Sequence, residues 1–70
     1  METRLRDLRE DKDLNQSQVA AILKIHQTTY SDYELGNLNV PAEVLIKLSK
    51  FYKTSIDYLL YQTDNPEPYK

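Results

Sequence analysis

Apolar side chains recur along this chain at three- and four-residue intervals, broken by short polar runs, and that pattern predicts helices joined by tight turns. Leu5 and Leu8 mark the inner edge of a first helix over about residues 2–12, with arginines and acids alternating on its outer side. Val19, Ala20 and Leu23 share one face of a second helix. Asn15 is placed to cap it, and Gln18, three residues on, completes a capping-box pattern. Lys24 falls where that helix must stop. A left-handed residue is the usual sharp stop, at a cost of roughly 1–2 kcal/mol when the residue is not glycine. Ile25 anchors the turn in the core, and His26 is the expected N-cap of a third helix. There Tyr30 and Tyr33 face inward, which leaves Gln27, Thr28, Ser31 and Asp32 outside until Gly36, the only glycine, ends the helix.

The second half continues the pattern. Leu14 is a core residue by position. After the loop Asn37-Leu38-Asn39-Val40, Pro41 is expected as the first residue of a fourth helix, with Glu43 favouring its positive end. Leu45, Leu48 and Tyr52 give this helix its apolar face, with Val44 and Phe51 at the margins and Lys47 and Lys50 outside. Thr54 or Ser55 then caps a short fifth helix whose Ile56, Leu59 and Leu60 close the core. Residues 63–70, TDNPEPYK, hold two prolines that no packed helix accommodates, so the expected division is a domain over 1–62 and a tail over 63–70.

Composition narrows the function classes. Seventy residues, 40% apolar and 29% charged, make one small domain that buries only about 60% of its unfolded surface, so a partner subunit can help to stabilise it. There is no cysteine and one histidine, so neither disulfides nor a metal centre are expected. No nucleophile–base set and no glycine-rich phosphate loop is present, so catalytic residues and cofactors are expected to be absent and the protein is not expected to be an enzyme. Without a signal peptide or a long apolar run, it is expected to be cytoplasmic and free of membranes. The net charge is −2, from nine basic and eleven acidic residues, and residues 25–45 carry Asp32, Glu34 and Glu43 with no lysine or arginine. Nucleic-acid binders are usually basic, so that distribution weighs against the reading that follows.

The stretch Gln16–Gly36, QSQVAAILKIHQTTYSDYELG, has the grammar of a helix-turn-helix, whose second helix can enter a DNA groove. Gln27 and Thr28 occupy the first turn of that helix, the part that reaches deepest. A glutamine amide can pair bidentately with adenine, and threonine can offer a hydroxyl or set a methyl against thymine. Asp32, one turn later, can accept from a cytosine amino group or repel phosphates. Ser31 can touch a phosphate or base, or carry a solvated hydroxyl. His26 can cap the helix, lie on the surface or touch a phosphate.

Three motifs in register, RLRDLREDKDLNQSQVA, the Tyr-Glu-x-Gly at Tyr33 to Gly36, and VLIKLSKFYKTSIDYLL, make the chain from about Thr3 to Leu60 resemble the phage Cro and lambda-repressor-like family, also called xenobiotic-response-element type regulators. The resemblance implies an all-α, compact five-helix bundle. It further implies that Gln16, first in its helix, contacts a DNA phosphate, the alternative being a plain surface glutamine, and that Arg9 pairs with Glu34 to pin the first helix to the end of the recognition helix. Family members carry a basic residue in the loop after Gly36. Here Asn37 and Asn39 can donate to a phosphate and Leu38 cannot.

The leading expectation is a DNA-binding transcriptional regulator, a repressor, acting on double-stranded DNA as a homodimer without a small-molecule ligand. The competing one is a protein-interaction module or antitoxin that keeps the fold with weak or no DNA binding. Tyr52, Tyr58 and Tyr61, with Ile22 elsewhere, are candidates for the dimer surface, against the alternative that each tyrosine covers its own core.

Overall fold

The computed structural model describes residues 1–67, so the last three residues of the expected tail lie outside the described residues. Among the described residues five helices follow one another: α1 (Leu5–Asp11), α2 (Gln16–Leu23), α3 (Gln27–Leu35), α4 (Ala42–Tyr52) and α5 (Ile56–Leu59). Among the described residues there is no strand, and no helix is long and apolar enough to cross a membrane. Leu5, Val19, Leu23, Tyr30, Leu48 and Leu59 meet at the centre, one or more from each helix.

Helix α1 starts three residues later than the pattern suggests. The backbone before it is committed to partners distant in sequence: the Met1 ammonium donates to the Gly36 carbonyl at 3.2 Å, and the Arg4 amide to the Leu59 carbonyl at 2.9 Å. Pro41 also departs from expectation. It stands outside α4 as its N-cap, with φ −62° and ψ 153°, and its carbonyl accepts from the Leu45 amide. The proline ring fixes φ at a value common to both positions, and ψ, which the pattern does not reveal, decides between them. Ser55, not Thr54, caps α5, its hydroxyl accepting from the Tyr58 amide at 3.0 Å.

Val44 moves from the margin to the core, and Tyr52 keeps its place on the apolar face. Val44 is as buried as Leu45, and Tyr52 is only 8% exposed, which removes Tyr52 from any surface that a partner could use. Arg4 corrects a third expectation, that of a solvated charge. Its guanidinium lies 4.2 Å from the Tyr58 ring centre and 4.1 Å from that of Tyr61, and it donates to the Tyr58 and Thr63 carbonyls and to Asp64. Stacking on two aromatic faces suits a planar cation. Tyr58 is thereby occupied within its own domain. Residues 63–67 carry no helix, as Pro66 requires, yet they are held by Arg4 and by the Thr54 hydroxyl, which donates to the Pro66 carbonyl.

Lysines terminate two of the helices in the left-handed region, Lys24 at φ 58° and Lys53 at φ 55°, as the sequence suggested for the first and not for the second. A Cβ is disfavoured there, and both side chains are exposed. Lys24→Gly and Lys53→Gly are each expected to stabilise the fold by about 1 kcal/mol, which for a domain of this size raises Tm by roughly 4–8 °C. Thermal unfolding followed by circular dichroism checks this; a lower Tm in both variants would contradict it.

Candidate nucleic-acid interface

The helix pair is built locally as its residues dictate. Asn15 Oδ1 accepts from the Gln18 amide at 2.8 Å while Gln18 Oε1 accepts from the Asn15 amide at 2.8 Å, so α2 begins with a closed capping box. At its other end Lys24 lets the Ile25 amide return to the Ala20 carbonyl at 3.0 Å, which turns the chain within three residues. His26 is the N-cap of α3 through its backbone alone. Its imidazole makes no capping bond and stays exposed.

Along α3, Tyr30 is wholly buried and Tyr33 nearly so, which fixes the rotation of the helix about its axis. Gln27 and Thr28 are left exposed on the first turn, with Ser31 and Asp32 half-buried beside them. Asp32 faces the following loop as well as solvent. Its carbonyl accepts from the amides of Asn37 at 3.0 Å and Leu38 at 3.3 Å, and its Oδ1 lies 3.5 Å from Asn37 Nδ2. Those two amides therefore point into the protein, and the exposed side chains of Asn37 and Asn39 are the donors the loop presents outward. Gly36 closes the helix at φ 82°, where an added Cβ would come within 3.2 Å of the Met1 carbonyl oxygen.

Beneath this surface lies the expected ion pair. Arg9 Nε donates to Glu34 Oε2 at 2.7 Å and Nη2 to Oε1 at 3.1 Å, while Nη1 reaches the Leu14 carbonyl at 2.9 Å. Both partners are shielded, Arg9 being 14% and Glu34 4% exposed in their side chains. One guanidinium thus joins α1, the turn before α2 and the end of α3. Gln16 is the residue whose placement the sequence could not show. Its Nε2 donates to the same Glu34 Oε1 at 3.2 Å, so the candidate phosphate anchor is tied to the ion pair.

The pair also alters the charge count. Glu34 is neutralised by Arg9 from outside the segment, so the outward acids among residues 25–45 are Asp32 and Glu43. Burial works to raise the Glu34 carboxyl, but hydrogen bonding by Arg9 foremost, with Gln16 beside it, holds it below the ordinary carboxylate range. The Arg9 guanidinium is raised in turn by its bond to Glu34. Burial pushes the Tyr52 phenol up to about 12 and the Tyr30 phenol higher still. The Tyr30 hydroxyl lies close enough to Glu34 to feel its charge, without the geometry of a hydrogen bond, and neither hydroxyl has a partner among the described residues.

A carboxyl held low in the folded state favours folding above its unfolded value, near 4.3, and loses that contribution as pH falls through the lower folded value. The Tm is therefore expected to fall as pH drops below about 4.3 through the Glu34 titration. A Tm unchanged between pH 7 and pH 2 would contradict this.

The helix-turn-helix family profile matches residues 5–59. YobD of Bacillus subtilis, an uncharacterised helix-turn-helix-type transcriptional regulator, is 37% identical over 65 residues, 93% of this chain and 58% of YobD. RstR of Vibrio cholerae, the transcriptional repressor of the cryptic phage CTXphi, is 37% identical over 62 residues, 89% of this chain and 56% of RstR. The B. subtilis regulator YqaE is 33% identical over 66 residues, 94% of this chain and 57% of its own length. The chain thus spans somewhat more than half the length of each of these relatives.

Proposed function

Because the chain belongs to the helix-turn-helix family, we propose that it is a sequence-specific DNA-binding transcriptional regulator, a cytoplasmic repressor that acts as a two-fold dimer on a near-palindromic operator. The observation that carries this reading is the rotation of α3: with Tyr30 and Tyr33 locked in the core, Gln27 and Thr28 stand clear on the leading turn. Gln27 reads adenine through its amide, Thr28 meets a neighbouring base, and Asp32 accepts from a cytosine amino group. Gln16 at the α2 N-terminus, with Ser31, His26, Asn37 and Asn39 around the recognition helix, holds the phosphates on either side, using amides, hydroxyls and a helix dipole in place of formal charge. RstR is named a repressor, which favours repression here. Two copies would set their α3 helices about 34 Å apart along the duplex.

A second reading, a protein-interaction module or antitoxin with the DNA function lost, draws on Leu38. This side chain is 44% exposed in the loop that should meet a phosphate, and the loop's first two amides face inward. Salt dependence separates the two. Lys24 is the only lysine or arginine in Gln16–Gly36, so few counterions are released. The affinity for a labelled duplex is expected to fall about ten- to a hundredfold between 50 and 200 mM salt, less than for a strongly basic binder. Absence of any salt-sensitive complex would leave the second reading.

A further inference from the structure

The bond from Gln16 to Glu34 has no counterpart in the sequence pattern, and it gives the buried ion pair a second role. We infer that Glu34 is the positioning residue for Gln16, holding the phosphate anchor in its binding orientation from inside the domain before DNA arrives. This inference rests on the DNA-binding reading above. The geometry is specific: three donors, Arg9 Nε, Arg9 Nη2 and Gln16 Nε2, converge on the two oxygens of one carboxylate.

A carboxylate is an acceptor only, so the Gln16 side chain must turn its NH2 end toward Glu34 and cannot flip. One amide hydrogen is held inward, and the second is left to a phosphate oxygen. A glutamine free in solvent would have to be ordered on binding, and prior ordering removes that cost. Glu34 can serve as the post because Arg9 holds both of its oxygens and because the side chain is almost wholly shielded from water. The residue that completes the fold's ion pair is also the rear support of a surface contact at the α2 N-terminus.

The first arm of the test needs neither a variant nor DNA. In the NMR spectrum of the wild-type protein, the Gln16 side-chain amide is expected to be rigid, with slowed hydrogen exchange, where that of exposed Gln27 is mobile. Equal mobility of the two would overturn the inference. The second arm is a double-mutant cycle on duplex affinity. Glu34→Gln leaves one acceptor oxygen for the three donors, so Gln16 is released. That variant and Gln16→Ala are each expected to weaken binding to all duplexes alike, by about three- to tenfold, and the double variant no further than Gln16→Ala alone. Glu34→Gln and Gln16→Ala effects that multiply would overturn the inference while sparing the DNA-binding reading. A wild-type protein that binds no duplex would overturn both. If Glu34→Gln does not fold, the NMR comparison still decides.

Discussion

Arg9→Ala is expected to unfold most of the protein at room temperature. Removing one member of a buried pair strands the other, here a carboxylate with 4% of its side chain exposed, and such breaks cost roughly 3–5 kcal/mol. The same substitution releases the Leu14 carbonyl, which Arg9 Nη1 holds at 2.9 Å. A core in a chain of 70 residues supplies about as much net stability as that loss, roughly 3–5 kcal/mol. Replacing both partners by apolar residues, Arg9→Met with Glu34→Leu, removes the stranded charge and should restore a folded domain. The Arg6–Glu10 pair on the outer face of α1 gives the contrast. With side chains 72% and 54% exposed it is worth about 0.3–0.5 kcal/mol, so Glu10→Gln should leave the unfolding curve almost in place. Urea titrations of these four proteins supply the comparison. An Arg9→Ala protein as stable as the wild type would mean that the pair contributes nothing to the fold.

Tyr30→Ala carries the other large effect. Tyr30 is the largest wholly buried side chain among the described residues, and its truncation leaves a cavity between α3 and the core at a cost of about 3–5 kcal/mol. Three residues earlier on the same helix, Gln27 is exposed and bears on no core contact. Gln27→Ala should leave Tm within about 4 °C of wild type, since surface substitutions stay within about 0.5 kcal/mol, while specific binding falls by about 1–3 kcal/mol and preference relaxes at one base pair. One helix then separates the two functions of its faces. The opposite result, a stable Tyr30→Ala protein with altered base preference, would mean that α3 is rotated from the position described here.

Much of this arrangement is legible in the sequence because its causes are local. A capping box needs only Asn15 and Gln18, a sharp stop only the residue at Lys24, and the inward face of α3 only the three-residue spacing of Tyr30 and Tyr33. Arg9–Glu34 is not local, and it was reached through the family resemblance. What stayed hidden depends on contacts between distant parts of the chain. Arg4 belongs to the same alternation of arginines and acids as the solvated charges of α1. Nothing in that spacing shows that Tyr58 and Tyr61, more than fifty residues away, will enclose it. The three-residue interval between those tyrosines was the available signal. Tyr52 sits at the end of an apolar face and was open to either side; packing against the core decided it. Gln16 on Glu34 follows only once the ion pair has a place in space.

The role of α3 as a base-reading helix is tested most directly by selecting binding sites for the wild-type protein from a pool of random duplexes. An enriched near-palindrome is expected, with half-sites about one helical turn apart and adenine required where Gln27 lands. Recovery of unenriched sequence, or of a motif that Gln27→Ala reads unchanged, would contradict it.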